Sequence, residues 1–238
     1  MPRPGCAWTI WSRTFSSLRA DGASCQPGPS PTARAVRLDN LRARDGQALA
    51  ALLEAVPADP PYDVAVAPDD PAGPLLREAG FEPYATTVTM SRAIEGLPER
   101  DTPEGVRLLT YDNSMAARYE EAEFDSLDGL AVFAAMGRPT GYGEGAGFGD
   151  FTVAMRGERI IGFCFTQVPE GIIWWLGVVP DERRHGIARM LVSSAARATR
   201  VAGGTHLLAD TEDTPAARAF FRALRFREGT TRHLLLRR

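Results

Sequence analysis

The residues best suited to chemistry lie where an apolar strand leads through a basic turn into a helix. Residues 172–179 are almost entirely apolar, and Arg183 and Arg184 follow them shortly before Gly186. The first N–H groups of a helix have no partner inside the helix, and the helix dipole adds partial positive charge at that end. Gly186 and Ala188 keep the turn thin enough for a pyrophosphate to approach the backbone. The stretch is therefore predicted to bind a phosphate-bearing ligand.

This turn carries a resemblance to a known family. Its sequence Arg183-x-x-Gly186-x-Ala188 resembles the acyl-CoA signature Gln/Arg-x-x-Gly-x-Gly/Ala of the GCN5-related N-acetyltransferase (GNAT) family. Residues 214–226 resemble the family segment whose helix flanks the pantetheine arm of coenzyme A. The resemblance covers residues 101–238 and implies acetyl-CoA as co-substrate. It also implies an α/β (α+β) fold in which helices flank a mixed, mostly antiparallel central sheet.

The resemblance assigns coenzyme A contacts to positions in both segments. They are Leu176, Val178, Val179, Arg183, Arg184, His185, Gly186, Ile187, Ala188, Arg189, Thr214, Ala217 and Phe221. The backbone N–H of Val178 is expected to polarise the thioester carbonyl where the central strand separates from its neighbour, a contact that needs no particular side chain. Family positions that usually hold asparagine, tyrosine and glycine hold Thr214, Phe221 and Arg225 here.

Phe221 stands where many relatives have a tyrosine that protonates the departing thiolate. A thiol with a pKa of about 8.5 can leave without a proton near neutral pH. The missing acid is therefore expected to slow transfer by no more than the lower end of the range of about 10²- to 10⁴-fold that general acids contribute. A water molecule or Tyr142 is an alternative acid.

The general base that accepts the amine proton is not marked by a motif. Many relatives carry a glutamate early in the central strand, but that position corresponds to Ile172. The candidate bases are Glu123, Glu144 and Glu170. Acidic residues are also crowded between positions 120 and 150, which suggests a cationic acceptor or, alternatively, a solvated helix face.

The overall composition narrows the class of function. The 238 residues carry a net charge of −3, with 27 basic against 30 acidic residues, so the basic excess of a dedicated nucleic-acid binder is missing. All basic residues are arginine, which excludes Schiff-base and Walker-type lysine chemistry. The cysteines and histidines lack metal-ligand spacing, and apolar runs of about ten residues are too short to span a membrane. We expect a cytoplasmic protein with no metal and no nucleic-acid or membrane partner.

Hydrophobic periodicity predicts the elements that must hold the site. Strands are expected at 62–67, 86–90, 106–109, 151–156, 160–167, 172–179, 206–210 and 231–236. Helices are expected at 47–56, 75–79, 114–124, 127–136, 186–201 and 215–224. The strands on either side of Gly157 are predicted to form a hairpin, and the apolar strand at 172–179 is expected near the centre of the sheet.

The chain is longer than one acetyltransferase unit, and the surplus contains a partial repeat. Residues 70–84 echo the segment that ends at Phe226. We therefore interpret residues 35–96 as a truncated GNAT-like half-domain, preceded by a disordered tail at 1–34 and followed by a complete GNAT domain at 101–238. An extension that resembles the family by coincidence is the alternative.

Two functions are compatible with these features. The first is an acetyl-CoA-dependent N-acetyltransferase in which a primary amine of a small cationic molecule or a peptide attacks the thioester directly. The second is an acyl-CoA-binding regulatory or accessory protein with weak or no transferase activity, which Ile172 and Phe221 motivate. Either protein is expected to be a monomer or a homodimer.

Overall fold

The computed structural model describes residues 17–29, 36–56, 61–98, 101–127, 129–131 and 149–238. The strands are β1 (Leu18–Ala20), β2 (Ala23–Pro29), β3 (Val36–Ala43), β4 (Tyr62–Val66), β5 (Glu82–Ala93), β6 (Val106–Thr110), β7 (Gly149–Arg156), β8 (Arg159–Gln167), β9 (Ile172–Val178), β10 (His206–Glu212) and β11 (Arg227–Arg237). The helices are α1 (Gly46–Ala55), α2 (Ala72–Glu78), α3 (Ala116–Leu127), α4 (Ile187–Val201) and α5 (Pro215–Ala223).

These elements form two compact units. The first holds the described residues up to Thr87 together with Ala131 and residues 231–238, so the end of β11 belongs to it. The second holds the described residues of 88–130 and 149–230. The boundaries proposed from the sequence, at 35–96 and 101–238, remain a prediction.

The first unit is built on strands in the order β1, β2, β3, β4 and β11. Pairing is antiparallel except between β3 and β4, which run parallel. Helix α1 buries Ala48, Leu49, Leu52 and Leu53, which recur at helical spacing along one face. They pack with Leu38, Val64, Leu76 and other apolar side chains into one core.

The second unit is a sheet in the order β5, β10, β9, β8, β7 and β6. The pairs β6 with β7, β7 with β8 and β8 with β9 are antiparallel, whereas β9 runs parallel to β10. The apolar strand β9 therefore lies inside the sheet, as its sequence predicts, and the hairpin of β7 and β8 is confirmed.

Two glycines show which helix covers each face of this sheet. A Cβ on Gly177 of β9 would lie 2.9 Å from Cβ of Ser126 in α3, and a Cβ on Gly162 of β8 would lie 3.1 Å from Cγ2 of Ile187 in α4. Gly162 is paired with Val178 and Gly177 with Phe163, so the two glycines point to opposite faces. Helix α3 packs on one face of β8 and β9, and α4 packs on the other.

One expectation from the sequence is wrong. Residues 18–29, which were expected in a disordered tail, form β1 and β2, because Ala23 and Cys25 are buried in the core of the first unit. A helix was also expected from Leu127 to Met136. Within it, Leu127 ends α3, Gly129 lies in a turn and Ala131 is helical. Most of that second stretch lies outside the described residues, as do residues 30–34.

Candidate functional site

The turn after β9 reverses the chain through two residues with left-handed backbone. A short 3-10 helix covers Pro180–Glu182. Arg184 then has φ +71° and Gly186 has φ +86°, after which α4 begins. A Cβ at Gly186 would meet no atom within 4 Å. Glycine is therefore favoured there by the backbone angle rather than by lack of space.

The N-terminus of α4 is open to a ligand. Gly186 is its N-cap residue, no side chain caps the helix, and its first turn holds no acidic residue. The first backbone bond of the helix runs from the Met190 N–H to the Gly186 carbonyl, which leaves the N–H groups of Ile187, Ala188 and Arg189 pointing outward. An anion placed here would meet these donors and the positive end of the helix dipole.

The side chains of the turn differ in solvent exposure. Arg184, His185 and Arg189 are exposed beside the open helix end. Ile187 is 1% exposed, so only its backbone can face a ligand. Val179 is buried, and its N–H donates to the Ile161 carbonyl at 3.1 Å. The predicted contact at Val179 is thus not available through its N–H group.

Arg183 is also exposed at the turn, and its guanidinium makes two hydrogen bonds to backbone carbonyls. Its Nε donates to the carbonyl of Val178 at 3.1 Å, and its Nη2 donates to the carbonyl of Ser126 at 2.9 Å. The guanidinium therefore ties the end of α3 to the end of β9. No sequence signal marks this contact, because it joins residues 57 positions apart.

The parallel strands β9 and β10 pair over only two positions and then separate. The pairs are Ile172 with Leu208 and Ile173 with Ala209. On its other edge β9 has a bulge at Trp174, where the register with β8 shifts. The pairing leaves a gap between β9 and β10 that begins at this bulge.

Backbone N–H groups of β9 point into that gap. The Val179 N–H bonds to Ile161 of β8, and antiparallel strands alternate between bonded and non-bonded pairs. Val178 and Leu176 are therefore in non-bonded pairs with β8, and their N–H groups face β10. The predicted donor Val178 is thus oriented as an oxyanion contact requires, and Leu176 shares this orientation.

The helix α5 follows β10 on the far side of the gap. Thr214 is its N-cap residue and accepts a hydrogen bond from the Ala217 N–H at 3.2 Å. Phe221 is 5% exposed, and its ring packs edge-on against Phe226 with centroids 5.0 Å apart. Phe221 therefore contributes to the core and offers no proton.

Glu123 is the candidate base that the structure buries. It lies on α3 and is 2% exposed, and the hydroxyl of Tyr119 donates to its Oε1 at 2.7 Å. Burial raises the pKa of Glu123 to about 7, although the Tyr119 hydrogen bond opposes the shift. A carboxyl group with this pKa exchanges protons near neutral pH, as a general base must.

Of the other two candidate bases, the structure describes only Glu170. Glu170 is exposed in the turn before β9, eight positions from Val178, which corresponds to roughly 25 Å along an extended strand. Glu144 lies outside the described residues. The acidic residues around position 120 also split, since Glu120 and Glu121 are exposed while Glu123 is buried.

Along the described part of the chain, no group of three or more histidine, cysteine, aspartate or glutamate side chains could hold a metal ion. None of the helices in the described ranges is both long and apolar enough to cross a membrane.

Comparison with known proteins agrees with this geometry. A family model described as an acetyltransferase (GNAT) domain matches residues 147–228, which include the hairpin, the open turn and α5. This part of the chain is therefore similar to the GNAT family. A curated relative, the mycothiol acetyltransferase of Catenulispora acidiphila, is 28% identical over 171 residues, which are 63% of this chain and 53% of that protein. The chain thus spans about half the length of this relative.

Solved GNAT structures share the fold. A GCN5-related N-acetyltransferase from Sphaerobacter thermophilus has a TM-score of 0.64 at 17% identity and covers 91% of this chain and 76% of its own. A GCN5-related N-acetyltransferase from Kribbella flavida has a TM-score of 0.63 at 16% identity, and the alignment covers 98% of this chain and 96% of that chain. A tandem GNAT protein from the clavulanic acid biosynthesis pathway has a TM-score of 0.62 at 16% identity, and the alignment covers 91% of this chain and 78% of that chain. The α/β fold predicted from the sequence, with a partial unit before the GNAT domain, is confirmed.

Proposed function

We propose that this protein is an acetyl-CoA-dependent N-acetyltransferase that acetylates a primary amine of a small cationic molecule or a peptide. The observation that carries the proposal is the open N-terminus of α4 at the end of a strand that separates from its parallel neighbour. The open helix end is suited to a pyrophosphate, and the gap beside the separating strand is suited to an extended acyl chain. The similarity of residues 147–228 to an acetyltransferase (GNAT) domain supports the same activity.

The pyrophosphate of acetyl-CoA would bind at the turn between β9 and α4. The N–H groups of Ile187, Ala188 and Arg189 supply hydrogen-bond donors, and the helix dipole adds positive charge. Arg184 and His185 are exposed beside them. Arg183 acts here as a positioning residue, because its guanidinium is engaged by two backbone carbonyls.

The pantetheine arm would extend between β9 and β10, flanked by α5. The N–H groups of Leu176 and Val178 face this gap and can donate to the arm or to the thioester carbonyl. A backbone donor that is already oriented stabilises the negative charge that develops on this oxygen during attack.

Glu123 would accept the proton that the amine loses. In the reaction the amine nitrogen forms a bond to the thioester carbon, the bond from this carbon to sulfur breaks, and the electron pair leaves on the coenzyme A thiolate. One proton of the amine passes to the Glu123 carboxylate. Tyr119 holds that carboxylate in place through its hydroxyl hydrogen bond.

The thiolate would leave without a protein acid at the family's tyrosine position. Phe221 fills this position with a buried ring. A thiol with a pKa of about 8.5 is a good leaving group near neutral pH. Slow transfer is compatible with this arrangement, and so is the second candidate function, an accessory protein that binds acyl-CoA without efficient turnover.

The acceptor is proposed from charge rather than from a shaped pocket. Glu121 and Asp125 line a concavity of about 280 Å³ beside α3, but Arg118 and Arg159 line it as well. The relative from Catenulispora acidiphila is named for acetylation in mycothiol chemistry, so the acceptor of that enzyme belongs among the amines tested.

A paired binding and turnover measurement tests the proposal. Purified protein is titrated with acetyl-CoA by calorimetry and then assayed for release of free thiol with polyamines, amino sugars, peptide amines and the mycothiol acetyltransferase acceptor. We expect binding and amine-dependent thiol release. Binding without release on any amine would favour the accessory function, and absence of binding would overturn both functions.

A further inference from the structure

A second concave surface of the GNAT unit lies at the end of the sheet where β10 begins, whereas the gap described above opens toward the end of β10. It has a volume of about 370 Å³. We call it the arginine pocket, and the side chains that matter in its lining are those of Ser91, Arg92, Glu95, His206, Arg225 and Arg227. It lies outside the proposed acetyl-CoA site, and the proposed function does not use it.

The arginine pocket carries an excess of positive charge. Three of its lining residues are arginines, and Glu95 is its acidic one. Within the described ranges, no ion pair is formed by Arg92, Arg225 or Arg227, although other arginines of the same unit are paired with carboxylates. Their charge is therefore available to a ligand.

Arg92 is held rigidly at this pocket by backbone groups alone. Its Nε donates to the Ala93 carbonyl at 2.9 Å, its Nη2 to the Glu95 carbonyl at 3.4 Å, and its Nη1 to the Leu224 carbonyl. Burial and the charge of Arg225 both lower the pKa of Arg92. Two cations thus lie close enough to repel each other, an arrangement that an anion between them would relieve.

Arg225 occupies a backbone conformation that is unfavourable for it. Its φ is +61°, and the left-handed region is unfavourable for a residue with a Cβ because the Cβ lies too close to the following carbonyl oxygen. Its N–H donates to the Arg222 carbonyl at 2.8 Å, and the N–H of Phe226 donates to the Phe221 carbonyl at 3.0 Å. This turn closes the C-terminus of α5.

The same turn occurs in the first unit with glycine. At the end of α2 the Gly80 N–H donates to the Arg77 carbonyl, the Phe81 N–H donates to the Leu76 carbonyl, and both bonds are 3.0 Å long. Gly80 has φ +84°. The chain therefore uses the unstrained residue in one copy of the turn and a strained arginine in the other. Backbone strain that is retained together with charge repulsion indicates a function for the side chain.

We propose that the arginine pocket binds a small molecule through a multiply charged phosphate group. Guanidinium groups recognise phosphate oxygens through paired N–H donors, and such charge-assisted bonds are stronger than neutral ones. Arg225 and Arg227 contact the ligand from exposed positions, while Arg92, fixed by its three carbonyls, contributes long-range charge from the wall. The hydroxyl of Ser91 and the ring of His206 complete the polar lining.

Calorimetric titration of the full chain with inorganic pyrophosphate tests this site. We compare the natural protein with Arg225→Gly, Arg227→Gln and the control Arg200→Gln, which removes an exposed arginine in the last turn of α4. We expect each pocket variant to bind at least about tenfold more weakly, as loss of a charge-assisted hydrogen bond implies, and the control to bind like the natural protein. Any binding at the α4 turn is common to all four proteins and cancels in the comparison.

The Arg225→Gly variant also separates binding from folding. Because glycine fits the left-handed turn, this variant should melt at the same or a higher temperature than the natural protein without ligand, and should gain less from added pyrophosphate. Raising the salt concentration should weaken binding to the natural protein more than to the variant. The proposal is overturned if the natural protein binds no pyrophosphate, or if the pocket variants bind it as well as the control.

Discussion

The two units of this protein contain the same succession of a strand, a turn and a helix, and they differ at the helix N-terminus. In the first unit β3 leads to α1, where Asp45 is the N-cap residue and its Oδ1 accepts a hydrogen bond from the Ala48 N–H at 2.8 Å. This bond and the neighbouring Arg44 lower the pKa of Asp45. In the second unit β9 leads to α4, where Gly186 leaves the helix end open. A carboxylate of the chain closes one helix end, and the other is available to a phosphate.

The gap between parallel strands shows the same contrast. Strands β3 and β4 pair only at Val36 with Tyr62 and at Arg37 with Asp63, just as β9 and β10 pair over two positions. In the first unit the base of the gap holds a buried ion pair, in which the Nε of Arg37 donates to Oδ2 of Asp63 at 2.6 Å. In the second unit the corresponding pairs are apolar. The two paired positions thus hold a buried ion pair in the first unit and apolar side chains in the second.

Gly186→Glu should give the largest effect, because it places a carboxylate at the open helix end. Like charges in a binding site cost several kcal/mol, so we expect acetyl-CoA affinity to fall by about 10³-fold or more. Calorimetry measures this loss. Gly80→Glu is the matched control, since Gly80 also has positive φ and open space around its Cβ. Equal loss of affinity in both variants would show that backbone strain, and not the site, is responsible.

Glu123→Gln should leave acetyl-CoA affinity unchanged and lower kcat by about 10²- to 10⁴-fold, the contribution of a general base. Glutamine can still accept the Tyr119 hydrogen bond. In the natural enzyme kcat/KM should rise with pH through about 7, where Glu123 loses its proton, and this rise should be absent in the variant. An unchanged pH profile would exclude Glu123 as the base.

The same variant should also change how the free energy of unfolding depends on pH. Burial raises the pKa of Glu123 from 4.5 to about 7, so between these values the native state holds a proton that the unfolded state has released. The free energy of unfolding of the natural protein should therefore fall as pH rises from about 4.5 to 7, by up to about 3 kcal/mol. Urea unfolding of Glu123→Gln should lack this decrease, and a parallel decrease in both proteins would contradict the assignment.

Asp63→Asn should break the ion pair that fills the gap of the first unit. Removing one partner of a buried pair costs about 3–5 kcal/mol, because the remaining charge is poorly compensated. Denaturant unfolding should show this loss, while acetyl-CoA affinity should be unchanged because the binding gap lies between β9 and β10. A matching loss of affinity would contradict the division of roles between the units.

Asp45→Ala should give the smallest effect, because it opens the helix end of α1 without emptying the gap beside it. A slight decrease in Tm is expected from the lost cap. Calorimetry should still show a single acetyl-CoA site. A second site in this variant would mean that the carboxylate cap alone, and not the filled gap, keeps the first unit from binding.

Local patterns in the sequence determined many of the secondary-structure elements of this protein. Apolar runs and turn residues predicted the β7 and β8 hairpin, the inner position of β9 and the helices α4 and α5, because side-chain periodicity follows directly from burial on one face. The open turn before α4 could be predicted for the same reason, since Gly186 and the helix that follows it are adjacent in the chain. The strands β1 and β2 were missed, because they are held by pairing of β1 with β2 and of β2 with β3 rather than by local propensity.

Only the tertiary structure decided which residues meet across the fold. Arg183 carries a positive charge suited to a phosphate ligand, yet it binds the carbonyls of Ser126 and Val178 because α3 ends beside β9. Glu123 and Glu170 are the same residue type, but packing of α3 on the sheet buries one and the turn before β9 exposes the other. Burial raises the pKa of Glu123 to about 7, which favours Glu123 as the proposed base. Such contacts depend on residues distant in the chain, and no local pattern encodes them.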